Sequence, residues 1–382
     1  MTQPLYSKES SLQPADSFDS LSVPTYRGST LLYPSFDDFL KRGERGRKAF
    51  SYGLHGTPTT RALEARITEL ESGYESFLLP SGLMAITTTV LSLMSQGECV
   101  LFPDSVYPPV RRFVDTTLDK LGITATFYDP IRPDLLDFER ERVRLVWVES
   151  PGSTTMEVQD VPAIAKRAAA FGAVVACDNS WASPLISKPL ELGADIVVEA
   201  VTKYLSGHSD LLLGSITVAD ESTAATIHGG LKSLGVGVSP DDCFLALRGL
   251  ETAEVRLSRI AESAIGLAEH IQCVEPSVEV LHPALPSFPT HAQWQQQFHG
   301  ASGLFSFVLP EESQARTASR FEQLRLFKIG ASWGGTQSLL APTVLGAERT
   351  IDKSYCGKMI VRVSVGLEPL DDLISDVDRF LA

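Results

Sequence analysis

From about residue 57 to residue 220 the chain alternates amphipathic stretches with short, β-branched apolar runs, and this rhythm constrains the fold more than any other feature. The runs are too short for helices, and several have too few polar positions for a sheet with one wet face. Such a pattern predicts a parallel sheet buried between layers of helices. Thr57 and Pro58 form a helix start ahead of Arg61 to Leu70, with Gly73 as the stop. Ser81 and Gly82 open a second helix that runs to about Ser95, and a strand follows at Cys99 to Phe102. Further strands are expected at Val143 to Val148, Ala173 to Cys177, Ile196 to Val198 and Ser215 to Val218.

Beyond this region the rhythm changes. Gly229, Gly230, Gly235 and Gly237 mark the stretch around Leu231 to Pro240 as a connection, and a long helix is expected over Cys243 to Glu269. Apolar runs at Leu304 to Leu309 and Ile360 to Val365, with a final helix at Leu370 to Leu381, fit a smaller α+β unit. A chain of 382 residues exceeds the size at which one core stops growing. The expected organisation is an arm over residues 1–50, a large α/β domain over 51–245 and a smaller α+β domain over 246–382.

Charge and cysteine content exclude several functions. A net charge of -14 repels a phosphate backbone, so nucleic acid is not an expected partner. No apolar run reaches the ~20 residues that cross a bilayer, and Met1 to Pro24 lacks the basic start and apolar stretch of a secretion signal. A cytoplasmic protein that does not enter membranes is expected. Cys99, Cys177, Cys243, Cys273 and Cys356 are odd in number, with no C-x-x-C pair, which predicts buried free thiols and no metal site.

The segment DIVVEAVTKYLSGHSD, Asp195 to Asp210, carries the strongest chemical signal. An Ile- and Val-rich strand delivers Thr202, Lys203 and Tyr204 to its carboxyl end, where ligands bind in open α/β sheets. Poor solvation there disfavours the charged amine and makes Lys203 a usable nucleophile towards an aldehyde, the requirement of Schiff-base chemistry. Earlier, VVACDNSWA places Asp178 directly after another apolar strand, where a carboxylate can pair with a protonated pyridine nitrogen. Ser81 and Gly82 in LLPSGLMAITTTVL lead into a helix whose first amides are free donors for a phosphate. Tyr107, in FPDSVYPPV, is placed to stack on an aromatic cofactor, and Tyr52, in FSYGLHGTPT, is a second candidate phosphate donor. Late in the chain ASWGG supplies Ser332 and Trp333, and IVRVSVGLE supplies Arg362, whose planar fork matches an amino acid carboxylate.

Together these segments resemble the cystathionine γ-synthase and β-lyase family, the Cys/Met metabolism family of pyridoxal 5'-phosphate (PLP) enzymes. ESPGSTTMEVQDVPAI, VTKYLSGHSD, HPALP, SGLFSFVL and SWGG carry the resemblance, which runs from about Ser51 to the carboxyl terminus. It implies the PLP-dependent transferase fold of type I, a mostly parallel seven-stranded sheet with helices on both faces and a smaller α+β carboxyl-terminal domain. It further implies that Lys203 binds the cofactor covalently and shuttles protons, that Asp178 meets the ring nitrogen, and that Tyr107 stacks on the ring. Ser81, Gly82, Leu83 and Thr202 become phosphate ligands, and Ser332, Trp333 and Arg362 line the substrate carboxylate site. Tyr52 is expected to reach a neighbouring subunit's phosphate, so the active sites are shared across a homodimer, with two dimers forming a tetramer. The implied reaction is β-elimination from L-cystathionine or a related S-substituted cysteine; γ-replacement or γ-elimination, and a non-catalytic PLP-binding scaffold, are the alternatives. Two positions depart from the family pattern. Leu54 stands where relatives carry Arg in Tyr-x-Arg, a loss that His55 or Arg61 could offset, and Ala331 stands where Tyr is frequent.

Overall fold

A computed structural model of the chain describes residues 21–139, 142–346 and 349–382. The first part of the expected amino-terminal arm, residues 1–20, lies outside the described residues. Among the described residues, seven strands form one sheet: β1 (Glu75–Leu79), β2 (Cys99–Pro103), β3 (Thr124–Tyr128), β4 (Val143–Glu149), β5 (Val174–Asp178), β6 (Ile196–Glu199) and β7 (Gly214–Val218), in the order β1-β7-β6-β5-β4-β2-β3. Pairings from β3 through β6 are parallel, and β7 runs antiparallel to both its neighbours. A second, mostly antiparallel sheet contains β8 (Glu279–Leu281), β9 (Leu304–Val308), β10 (Lys328–Ile329), β11 (Leu339–Val344) and β12 (Met359–Ser364), in the order β10-β11-β12-β9-β8.

The helices are α1 (Phe36–Leu40), α2 (Pro58–Glu71), α3 (Gly82–Leu93), α4 (Pro108–Phe113), α5 (Val161–Ala170), α6 (Glu221–Leu234), α7 (Pro240–Leu250), α8 (Ala253–Val274), α9 (His291–Gln297), α10 (Thr317–Gln323) and α11 (Leu370–Leu381). Local chemistry explains where the site-bearing ones start. The Thr57 hydroxyl accepts from the Thr60 amide while Thr60 returns the bond, and Pro58 needs no donor there. The Ser81 hydroxyl accepts from the Met84 amide at 3.1 Å. Helix α2 ends on Ser72 in the left-handed region, one residue before the expected Gly73.

Two sequence expectations need correction. The expected connection over residues 231–240 starts later, at Gly235, because α6 runs on through Gly229 and Gly230 to Leu234, and a Cβ on Gly230 would lie 1.9 Å from the Ser92 hydroxyl of α3. Glycine there permits a close helix–helix approach. The single long helix expected over residues 243–269 is two helices, broken at Glu251 and Thr252. The cause is again proximity: a Cβ on Gly249 would lie 2.4 Å from the Ser206 carbonyl, so α7 runs directly into the backbone of the Lys203 turn and the chain turns away. Strands β1 and β3 escaped the sequence reading. Cys99, Cys177 and Cys243 are buried as expected, whereas Cys273 is exposed and Cys356 half-buried; none of the five is in a disulfide.

Strand alternation sorts the core. Trp147, Ala176, Ile196, Val198 and Ile216 face α3, α4 and α6, while Val146, Val148, Val175 and Cys177 face α5. Both faces are dry, which is why these strands read as continuous apolar runs. A further core joins α8, α11 and the second sheet to Trp181, Ile186 and Tyr204. The loop holding Tyr204 therefore touches both sheets. No described helix is long and apolar enough to cross a membrane.

Candidate active site

Parallel strands share one carboxyl-terminal edge, and here that edge carries Glu149 on β4, Asp178 on β5 and the turn that follows β6. Glu149 and Asp178 are register partners and project to the same side. The Asp178 carboxylate accepts from the Ser180 amide at 2.9 Å. Ser180 in turn accepts from the Ala200 amide at 2.8 Å, which ties β5 to the lysine turn. Burial pushes the Asp178 carboxyl up, and the Ser180 bonds and the Lys203 charge oppose that rise.

Lys203 lies in a tight turn whose closing bond runs from the Gly207 amide to the Lys203 carbonyl at 2.7 Å. Its ammonium donates to the Ser332 hydroxyl at 2.9 Å and sits 4.9 Å from the centre of the Trp333 ring. Trp333 packs on Tyr204 with ring centres 5.4 Å apart. Burial, then the positive charge of Arg362, lowers the Lys203 pKa to about 8, against a partial restoring effect of Asp178. At neutral pH about a tenth of this amine is already neutral and able to act as a base.

Arg362 rises from β12 and donates to the carbonyls of Ala331 and Ser332 at 2.8 and 3.2 Å. Among the described residues its Nε is buried with no hydrogen-bond partner, a donor left over for an incoming acceptor. Tyr107, the residue before α4, is 42% exposed, and its backbone amide donates to Glu149 at 2.7 Å. Burial and the charges of Asp178 and Glu149 raise the Tyr107 pKa, while Arg362 lowers it.

The cluster fits PLP on the donors it leaves open. The amides of Gly82 and Leu83, at the start of a twelve-residue helix, have no partner within the described residues. A Cβ on Gly82 would lie 2.7 Å from Ala200, so only glycine lets this helix start pack against the lysine turn. Ser81 spends its hydroxyl on capping α3. The Thr202 hydroxyl is held from both sides by Leu213, donating to its carbonyl at 3.0 Å and accepting from its amide at 2.9 Å. The lysine, the acid, the tyrosine, the helix start and the Ser332–Arg362 pair thus converge.

Tyr52 stands apart. It precedes a short 3-10 turn and meets His55 edge-on at 6.1 Å, and among the described residues no hydrogen bond or ring contact joins it to the Lys203 cluster. The Arg61 guanidinium, which with His55 was a candidate to offset the missing arginine, has its two Nη groups engaged locally, while its Nε is buried without a hydrogen-bond partner among the described residues. It donates to the His55 and Arg47 carbonyls at 2.8 and 3.1 Å and to Glu64 at 2.6 Å. Leu54 packs onto Gly237, where a Cβ would lie 2.6 Å from its Cδ1.

Sequence reasoning missed Glu149 and Asp104. Glu149 is raised to about 8 by burial and by the neighbouring Asp178 charge, and it fixes the Tyr107 backbone. Its signal, an acid closing the run VRLVWVE, is the same one that found Asp178. Asp104 accepts from Arg111 and from the backbone of Thr350, Ile351 and Asp352, pinning the 350–352 loop beside the Tyr107 segment. Nothing in the local sequence announces that pairing across the length of the chain.

The fold and this cluster define an α/β enzyme of the PLP-dependent type. A cystathionine gamma synthase structure from Xanthomonas oryzae pv. oryzae, in complex with cystathionine, superposes with a TM-score of 0.87 at 28% identity, covering 95% of this chain and 93% of that one. The model of the Cys/Met metabolism PLP-dependent enzyme family matches residues 7–382, and the chain belongs to that family. Its cofactor is accordingly pyridoxal phosphate. A cystathionine beta-lyase of Bordetella avium is 38% identical over 366 residues, covering 94% of this chain and 92% of the relative. An L-alanine/L-glutamate racemase of Wolbachia pipientis is 38% identical over 375 residues, covering 95% and 93%.

Proposed function

We propose that the chain is a carbon–sulfur β-lyase acting on L-cystathionine or a closely related S-substituted cysteine. The observation that carries this reading is the meeting of Lys203 and Asp178, at the carboxyl edge of the first sheet, with the Ser332–Arg362 pair of the second, in a chain similar over nearly its whole length to cystathionine beta-lyases. The chemistry that pyridoxal phosphate supplies when bound is an electron sink for the carbanion at the substrate α-carbon. Lys203 would attach it, Asp178 would meet the ring nitrogen, Tyr107 would lie on the ring, and Ser81, Gly82, Leu83 and Thr202 would hold the phosphate. Of these, the Gly82 and Leu83 amides are the open donors.

The remaining groups act on the substrate. Arg362 offers its free Nε to the carboxylate, with Ser332 and Trp333 beside it. Lys203 would remove the proton from Cα as a base and deliver it towards the departing sulfur. The Cβ–S bond breaks with its electron pair leaving on sulfur. Overall, cystathionine and water yield homocysteine, pyruvate and ammonia.

Product analysis tests the reading. Holoenzyme given L-cystathionine is expected to release pyruvate and homocysteine in equal amounts, and the cut side is what matters. Release of 2-oxobutyrate with cysteine would place the chain with γ-elimination, and consumption of an activated homoserine with a thiol would place it with γ-replacement. The likeness to the racemase favours one further reading, in which Lys203 removes a proton and it returns to the opposite face. Exchange and inversion of L-alanine in heavy water without pyruvate release from any sulfur substrate would establish that instead. Because Ala331 is small and exposed, a screen extends to cystine, djenkolate and alkyl-cysteines.

The site is proposed to be completed across a homodimer, with two dimers in a tetramer and Tyr52 reaching the partner's phosphate. Supporting this, residues 21–54 expose Leu32 at 93%, Phe36 at 75% and Tyr52 at 48%, an apolar load that a second copy would cover. Sedimentation of the holoenzyme is expected to give at least a dimer mass; a fully active monomer contradicts a shared site. Five cysteines outside any disulfide fit the reducing cytoplasm expected from the sequence.

A further inference from the structure

The Lys203 turn rests on a buried arginine that has no acid to pair with. Arg256, in the first turn of α8, is 6% exposed. Its Nη1 donates to the Tyr204 carbonyl at 3.0 Å, its Nη2 to the Gly249 carbonyl at 2.8 Å and its Nε to the Thr252 hydroxyl at 3.2 Å. Among the described residues no carboxylate is bonded to it, and burial alone lowers its pKa. A cation removed from water without a counter-ion costs several kcal/mol, roughly, unless its donors are all used. Here three uncharged acceptors take one N–H from each of its three nitrogens and offset part of that cost, and each belongs to the Lys203 turn or to the end of α7 and the break that follows it.

The fit is close on every side. Gly207, at φ +69°, lies so near that a Cβ would fall 1.8 Å from the arginine's Nη1. Gly207 also donates the bond that closes the turn onto the Lys203 carbonyl. Tyr204, whose carbonyl Arg256 holds, accepts from the Gly303 amide at 2.9 Å through its hydroxyl and carries Trp333 on its ring. Trp333 in turn lies beneath the Lys203 ammonium. A rigid planar fork reaching two carbonyls and a hydroxyl on separate segments is a task for arginine and not for lysine.

We propose that Arg256 is a positioning residue: by clamping the Tyr204 carbonyl to the α7–α8 break, it holds the Lys203 turn so that the amine stays between Trp333 and Ser332. This rests on the assignment of Lys203 made above. Arg256 touches neither substrate nor cofactor, so it acts through the turn.

Two variants test it. Arg256→Lys removes the fork and keeps the charge; Thr252→Val leaves Arg256 and the Lys203 turn unaltered and removes the acceptor of its Nε, so it remains informative if the first variant folds poorly. In the full-length holoenzymes, kcat per bound cofactor is expected to fall roughly 10- to 100-fold, the effect of misplacing a reacting group by about an ångström. KM should stay within about twofold, because Arg362 and Ser332 are untouched. A second readout is independent of turnover. In the full-length chain stripped of cofactor, the pH midpoint for acylation of Lys203 by an amine-reactive ester, read by peptide mass, is expected to rise from about 8 towards the ordinary lysine value of 10.5. The groups that set it, Asp178 and Arg362, are unchanged in both variants, so a rise reports renewed access of water to the amine. A lowered melting temperature with the parent's midpoint and kcat would overturn the proposal and leave Arg256 as scaffolding only. Should the parent itself form no cofactor adduct at Lys203, the assignment beneath the proposal fails instead, and the two failures are distinct.

Discussion

Lys203→Ala is expected to lower pyruvate release from L-cystathionine by about 10⁴-fold per bound cofactor, the largest loss of any single substitution in the chain. The amine performs two tasks that no neighbour can assume. It is the covalent anchor, and it is the base whose pKa, lowered to about 8 by burial and by Arg362, lets it take a proton near neutral pH. Ser332, its hydrogen-bond partner, ionises too reluctantly to replace it, and Tyr107 is pushed up further by burial and by the Asp178 and Glu149 charges. The fold should survive, because the turn is closed by backbone bonds and by Arg256 and not by the lysine side chain. Pyruvate release at matched cofactor occupancy is the check, with circular dichroism as control. Activity within tenfold of the parent contradicts the assignment.

Asp178→Asn is expected to cost about 10- to 150-fold in kcat, the equivalent of one charge-assisted hydrogen bond of about 1.5 to 3 kcal/mol. The substitution preserves shape and removes the charge that keeps a proton on the facing ring nitrogen. It also has a signature in the protein's own titrations. The Asp178 charge raises the Lys203 pKa, so without it the acylation midpoint of Lys203 in the cofactor-free chain should fall below about 8. The same charge is the second cause, after burial, of the elevation of Glu149 to about 8, so Glu149 should fall as well. A loss of rate with no movement of the lysine midpoint would mean that the substitution acts through local distortion alone.

How much of this was legible depends on the range of each interaction. The strands of the first sheet carry their own signal, because burial on both faces strips them of polar residues, and the chemistry-bearing side chains follow directly from their ends. Asp178 and Lys203 were therefore readable one segment at a time. The same rule, applied to VRLVWVE, would also have found Glu149. Strand β3 was not readable, since Thr124 is exposed and Ala125, Thr126 and Phe127 are half-buried at the edge of the sheet. Glycines that serve packing were not legible: Gly230 admits Ser92, and Gly249 admits the Ser206 carbonyl, and neither purpose is visible from neighbouring residues. Thr202 illustrates a different limit, since its hydroxyl is taken by Leu213, a partner that pattern reasoning could not supply. Arg256 and Asp104 lie at the far end of that scale, each joining segments remote in sequence.

Borohydride reduction of the PLP-loaded chain, followed by peptide mass mapping, tests the central claim most directly. One stable adduct is expected, on the peptide containing Lys203, and none in Lys203→Ala. An adduct on a different lysine, or none in the parent despite a native fold, would contradict the assignment of Lys203 as the cofactor's anchor.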